Sequence, residues 1–406
     1  MYNKRIHSLD SLRGLASLTV VFHHSMLALP LFYLAYKHDY QNKLTQFITN
    51  SPIHMLWGGH EAVLLFFVLS GFVLSIPFLN NKPFTYKKYI IKRFCRIYIP
   101  YIVSIFLSYT LFYFIQPHNL RGMSDNFNEM WSHSIDLYDF FSYLFMLGAG
   151  VINLNGVTWS LVHEMRISFF FPLLMIFIVR LNWKKSVFIG GLFFLFLWTA
   201  LTLTSELIRF KEMSDLILSF AETFYYTPFF IIGACLAKYK DSLINTIKML
   251  SNTLKLLLIF LVVVLYNFEW MSFGFGGLKY KETIIPTRVV SLIVDYTVVL
   301  GVSILLILIL SSYRLTKLLN VSILQSLGKV SYSLYLIHMI IMLTLVHLFN
   351  EEIPTILLLM LSPFISVISS YIFYYMIEKN SIKIGIYLTN INNEQSSSMI
   401  HYKKID

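Results

Sequence analysis

The sequence is poor in cysteine, with only Cys95 and Cys235 in 406 residues, both within or beside apolar runs. Two isolated thiols exclude a disulfide framework and a cysteine-rich metal centre, which need several cysteines at set spacings. Charge is scarce too: Asp, Glu, Lys and Arg are 13% of the chain, against roughly 25% in a soluble globule. No Walker loop, GxGxxG or HExxH pattern occurs, so nucleotide hydrolysis and zinc chemistry have no footing and no metal is expected. Internal repeats are not visible, and no polar stretch between apolar runs is long enough for a soluble domain.

What the chain has in abundance is apolar sequence: 57% hydrophobic residues and a mean hydropathy of +0.66. Runs of roughly 17 to 25 apolar residues recur, each able to cross a ~30 Å hydrocarbon core as a helix. The fold class expected is all-α, a polytopic integral membrane helix bundle. Its spans fall near 10–35, 57–79, 95–116, 159–180, 185–205, 214–238, 255–270, 289–311, 331–349 and 354–378. The stretch 137–152 is apolar but short, as a re-entrant or interfacial segment is. Residues 1–379 form the membrane domain on this reading, and the polar residues 380–406 read as a disordered tail. The loop near 270–288, with Gly274, Gly276 and Gly277, reads as flexible.

Lys and Arg gather on alternate loops, for example Lys87, Lys88, Lys92, Arg93 and Arg96, then Lys184 and Lys185, then Lys238 and Lys240. By the positive-inside rule both termini are cytoplasmic. The net charge of +11 is therefore accounted for by basic inner loops against a lipid bilayer, with no nucleic-acid partner required. The basic N-terminus is followed by no small-residue cleavage site, so the first apolar run is expected to remain as a helix.

Ionisable residues inside such runs are costly and point to function. Arg13 and His24 lie eleven residues apart in the first run, which is three turns plus about 20°, so they share a helix face ~16 Å apart. That places Arg13 near a membrane surface and His24 near the midplane, with Asp10 and Ser17 on the same stripe. His60 and Glu61 open the second run, where they are either interfacial anchors or acceptor contacts. Ser70-Gly71 in mid-span lets another backbone approach. Arg93 and Arg96 project from one face of the third run; arginines there are often topology anchors, but the guanidinium fork also suits phosphate. Trp159, Ser160, His163, Glu164 and Arg166 open the fourth run, where Glu164 could simply compensate His163 or Arg166. Ser331, Tyr335 and His338 form a polar stripe on the ninth. The runs between carry few polar residues, Glu222 being the main exception.

Taken in order, these marks resemble those of transmembrane acyltransferase family 3. They are Arg13 with His24, the FFVLSGF core from Phe66 to Phe72, the patch Arg93, Arg96 and Pro100, and Trp159-Ser160-Leu161 with Glu164. The run Gly328, Ser331, Tyr332, Tyr335, Leu336 and His338 follows, then Ile377-Glu378-Lys379. Leu64 stands where the family often has the acidic residue of a Val-Asp pair, and Asn380 where a proline usually follows. The fused SGNH hydrolase-like domain of some members is not expected here.

The resemblance implies transfer of an acyl group, usually acetyl from cytosolic acetyl-CoA, to a hydroxyl of a surface polysaccharide or lipid-linked sugar, in a bacterial inner membrane. It implies catalytic roles for His24, as general base or transient acyl carrier, and for Arg13 and Glu164. Donor contacts are expected from Arg13, Arg93, Arg96, Ser331, Tyr335 and His338, and acceptor contacts from Trp159, Ser160, His60 and Glu61. The alternative from another class is a proton-coupled secondary transporter using the same buried His, Arg and Glu residues.

Overall fold

The computed structural model describes residues 6–80, 83–132, 134–148, 153–271 and 287–402, with side chains described as far as 390. The helices in chain order are α1 His7–Leu27, α2 Pro30–Tyr36, α3 Lys43–Asn50, α4 Gly59–Leu79, α5 Tyr86–Ile115, α6 Asp125–Asn128, α7 Leu137–Leu144, α8 Thr158–Arg180 and α9 Trp183–Leu207. After them come α10 Lys211–Met249, α11 Asn252–Tyr266, α12 Phe268–Met271, α13 Thr287–Ser311, α14 Tyr313–Leu319, α15 Ser322–Phe349, α16 Thr355–Phe373 and α17 Lys379–Tyr402. A one-turn 3-10 helix, Pro52–Leu56, precedes α4, and a π-helical turn, Tyr374–Glu378, joins α16 to α17. Among the described residues there is no strand. A membrane imposes this economy, because only a helix or a closed barrel satisfies its own backbone hydrogen bonds in hydrocarbon.

Eight helices are long and apolar enough to cross a membrane among the described residues, and the bent pair α1–α2 makes a ninth. The apolar run read as a span near 255–270 is the 15-residue α11, about 22 Å long and so short of a ~30 Å core. The first run is not one straight span: α1 ends at Leu27, Pro30 starts α2, and the two axes meet at 111°. His24 thus sits in the last turn of α1, beside the break.

Backbones meet where glycine removes the side chain. A Cβ on Gly14 would lie 2.6 Å from the backbone N of Gly328, and one on Gly71 would lie 2.6 Å from Phe230 Cα, so α1 packs on α15 and α4 on α10 at backbone distance. α1 and α15 run parallel: Ser17 Oγ donates to the Ser331 carbonyl at 2.9 Å, and one turn pair farther on the His24 and His338 rings stand 5.4 Å apart. α5 lies in the same sense, since the Tyr332 hydroxyl donates to the Ile97 carbonyl at 2.7 Å while His118 reaches His347 at the other end.

The short apolar stretch near 137 becomes the eight-residue α7. Tyr98 and Tyr101, well along α5, donate to the carbonyls of Leu144 and Tyr143, so α7 lies beside the middle of that long helix. Its trailing carbonyls at Met146 and Leu147 accept from Arg166 of α8. A helix end packed inside a membrane bundle needs such a donor, because lipid offers its carbonyls none. Residues 380–390, which composition marks as the start of a disordered tail, are helical instead. Ser381 and Thr389 are buried, and Gly385 faces Cys95 and Lys92 of α5. Polar composition misleads there because one face of α17 packs on the bundle. Apart from Trp270, Met271, Thr287 and Arg288 at its ends, the glycine-bearing loop near 270–288 lies outside the described residues.

Candidate functional site

The N-terminal halves of α1, α5 and α15 enclose a cavity with α4 and α8, about 770 Å³ of empty space counting its open mouth. Its polar lining is Arg13, Ser17, Ser70, Arg93, Arg96, Ser160, Glu164, Ser331, Tyr332 and Tyr335, set in an apolar wall of Val63, Phe66, Phe67, Leu74, Ile97 and Leu161. Five helices far apart in sequence deliver these residues, each from a stripe visible in the sequence.

Within the cavity the charges divide into two kinds. Arg93 is committed: its guanidinium pairs with Glu164 at 2.9 Å and donates twice to Ser168 Oγ, at 2.8 and 3.2 Å. Ser70 Oγ, in the middle of the FFVLSGF core, donates to the same Glu164 oxygen at 3.1 Å. Glu164 therefore does not compensate its helix neighbours. His163 bonds Thr223 at 2.9 Å and stands 3.4 Å from Glu222, while Arg166 is held by Ser219, Thr223 and the α7 carbonyls. Arg13 and Arg96, by contrast, have no hydrogen-bond or ion-pair partner among the described residues, and Arg96 is exposed at the mouth. A guanidinium without a partner keeps its N–H donors free for an anion, and Arg13 and Arg96 present two of them to one cavity. Tyr335 closes the inner end: its hydroxyl bonds Ser160 Oγ at 2.7 Å, and its ring meets Phe66 edge to face.

Beyond that roof, His24 and His338 form a separate pair, and neither lines the cavity. His338 Nδ1 lies 3.1 Å from the Leu334 carbonyl and must carry the hydrogen, which leaves Nε2 with its lone pair. That Nε2 is buried without a partner, and so is His24 Nδ1. His338 stands just past the midpoint of α15. His23 packs edge-on to His24 at 5.2 Å and bonds the Trp57 carbonyl through Nδ1 at 2.9 Å.

A family model described as an acyltransferase domain matches residues 6–375. The chain belongs to the acyltransferase 3 family. Neither the curated proteins nor the solved structures contain a match to it. This protein is thus a multi-pass membrane acyltransferase, and the secondary-transporter alternative gives way to the family.

Not every residue expected in the site of this acyltransferase lies in the cavity. His338, expected at the donor, is the partner of His24. Glu61 is buried and accepts from Trp270 Nε1 at 2.7 Å, with His54 3.9 Å away. His60 Nε2 bonds Asp295 at 2.8 Å, and the second oxygen of that carboxylate accepts from the Tyr225 hydroxyl at 2.8 Å. Trp159 packs in an aromatic group with Phe67, His163 and Tyr226. Sequence reading missed Tyr332 in the cavity wall, Ser70 as a partner of Glu164, and Asp295 altogether. A carboxylate inside the run 289–311 was signal enough for Asp295, since lipid tolerates one only with partners. Glu378 of the Ile-Glu-Lys mark is buried at the π-helical turn and accepts from Ser333 Oγ at 2.6 Å. That serine is two residues from Ser331, so the mark steadies the stripe that lines the cavity.

Proposed function

We propose that the acyltransferase moves an acetyl group from cytosolic acetyl-CoA to a hydroxyl of a surface polysaccharide or lipid-linked sugar across a bacterial inner membrane. The observation that carries this reading is the cavity with two unpartnered guanidiniums, followed deeper in by two imidazoles with unpartnered nitrogens. Arg13 and Arg96 would take the anionic phosphates of the donor, and the apolar wall its pantetheine arm. The positive-inside bias puts the cavity mouth, beside Arg93 and Arg96, in the cytosol. Arg93 holds Glu164 and Ser168, so its part is to shape the site rather than to bind phosphate.

The chemistry needs one proton moved and one acyl bond exchanged. The acceptor oxygen attacks the thioester carbonyl as His24 takes the hydroxyl proton; the C–S bond then breaks, and the proton passes to the departing thiolate, giving the ester and free CoA. His338, with Nε2 fixed as an acceptor, keeps a second proton-accepting nitrogen beside His24. The thioester must travel from the cavity past Phe66 and Tyr335 to meet His24.

The test is ester-linked acetate on surface glycan from cells lacking the protein, complemented with wild type, His24→Ala or Arg13→Ala at matched membrane levels. Wild type should restore the ester, and His24→Ala should fall by at least a hundredfold, the least a lost general base costs. Full restoration by His24→Ala overturns its role, and no restoration by wild type overturns the acceptor. Acetyl trapped on His24 in a single turnover would replace the general-base step with transient acyl carriage.

A further inference from the structure

We propose that a second cavity, at the opposite end of the bundle, binds a neutral polyhydroxylated group; on the function proposed above, this is a sugar unit of the acceptor other than the one acylated. It holds about 530 Å³ of empty space, counting its open mouth, among His118, Asn119, Asn128, Trp131, Ser132 and His347, with Pro117 and Met130 completing the wall. None of these residues is Lys, Arg, Asp or Glu, in contrast with the donor cavity. A phosphate or carboxylate ligand would find no counter-charge, and an acyl chain would desolvate amides and imidazoles without replacing their hydrogen bonds. Imidazole, amide and hydroxyl groups together both donate and accept, which is what a ring of hydroxyls requires.

Two observations mark the cavity as built for a ligand. Both ring nitrogens of His347 are buried without a partner, a state that costs roughly 1–3 kcal/mol for each polar group until something bonds it. The imidazole cannot turn away easily, because Trp131 lies nearly parallel to it at 6.1 Å and Phe127 flanks it at 5.5 Å. Trp131 itself is held at φ +55°, a left-handed conformation that a bulky residue rarely adopts. Its backbone N–H donates to Asn153 and its indole N–H to Ser108 and Leu154, so the surroundings enforce the strain. His118 and Asn119 stand exposed at the rim.

Position argues for a part of the acceptor remote from the reacting hydroxyl. His347 follows His338 by nine residues on α15, about 13.5 Å of rise and half a turn round the helix. The segment that builds the cavity is also anchored to the end of α1, where Ser124 donates through Oγ to Leu27 and through N–H to Ala28, one turn beyond His24. A chain of sugars held at this cavity would be presented to the helix that carries His24.

The test uses the full-length protein in lipid nanodiscs. The probe is surface glycan extracted from cells lacking the protein, stripped of esters and fluorescently labelled; periodate-oxidised glycan and inorganic phosphate are the controls. Intact glycan should bind, while phosphate and glycan with its vicinal diols opened should not. Asn119→Ala, at an exposed position that leaves the fold alone, and His347→Gln should each weaken binding about tenfold, the effect of a hydrogen bond worth ~1.4 kcal/mol. His24→Ala should bind as wild type does. Absence of binding by wild type, equal binding of oxidised glycan, or unchanged binding by both cavity variants overturns the site. Acetyl transfer, followed in the same samples, keeps the two ideas apart: binding lost in the variants supports the site even where no transfer occurs, and absent transfer then counts against the proposed function alone.

Discussion

Substituting Gly14 with alanine tests whether the α1–α15 crossing sets the reaction geometry. The added Cβ would lie 2.6 Å from Gly328 N, 2.8 Å from the Leu327 carbonyl carbon and 2.9 Å from Gly328 Cα. All three are backbone atoms, so no side chain can rotate away, and reaching an ordinary contact of 3.4 Å forces the helices apart by about 0.8 Å. The same crossing carries Ser17 against Ser331 and His24 against His338. A misplacement of about 1 Å at a reacting group costs on the order of a hundredfold in rate, or ~2.7 kcal/mol of barrier. Gly191 is the control, since a Cβ there meets nothing within 4 Å. Ester-linked acetate per unit of membrane protein, with melting temperature measured on the purified variants, should show Gly14→Ala inactive but folded and Gly191→Ala fully active. Undiminished activity in Gly14→Ala, or a loss that merely follows loss of protein from the membrane, refutes the reasoning.

The two classes of arginine should separate on mutation. Arg96→Ala should raise the KM for acetyl-CoA roughly tenfold, the loss of one charged hydrogen bond, with the glycan KM unchanged; equal effects on both would remove it from the donor site. Arg93→Ala strands the Glu164 carboxylate, and because both side chains keep some exposure, 13% and 20%, the expected cost is about 2 kcal/mol rather than the full 3–5 of a buried pair, read as a lower melting temperature. Asp295→Leu leaves His60 and the Tyr225 hydroxyl without the carboxylate, so it should destabilise by roughly 2 kcal/mol or more, whereas an unchanged melting temperature would show that the carboxylate is not needed. His54, on the 3-10 helix outside the spans, has its pKa pushed well below 6.5 by burial, with His23 and His38 adding to the effect. The folded chain resists a proton that the unfolded chain accepts, so stability is present above pH 6.5 and declines as pH falls below it. Melting of wild type between pH 7.5 and 5.5 should therefore be steeper than that of His54→Phe, and parallel curves would contradict this.

Much of the architecture was legible because lipid makes sequence literal. An apolar run long enough to cross must be a helix, and eight of the ten runs each become a helix long enough to cross, while the first bends into α1 and α2 and the run near 255–270 becomes the short α11. What periodicity could not show was where a run stops being straight. Pro30 lies inside the first apolar run, and hydropathy does not register the 111° turn it begins. The polar stripes were likewise readable, since Arg13, Ser17, Ser160, Glu164, Ser331 and Tyr335 converge on one cavity. Their partners were not, because a stripe gives the face of its own helix and says nothing of which helix lies opposite. Glu164 has His163 and Arg166 beside it in sequence and pairs with Arg93, 71 residues away. His338 shares a stripe with Ser331 and Tyr335, yet it faces His24 across a roof that separates the imidazoles from the guanidiniums. That separation is the consequence sequence could not reach. On the function proposed above, a donor held by Arg13 and Arg96 would meet His24 only by passing Phe66 and Tyr335. On that function, Phe66 and Tyr335 are the two rings that the acyl group has to pass.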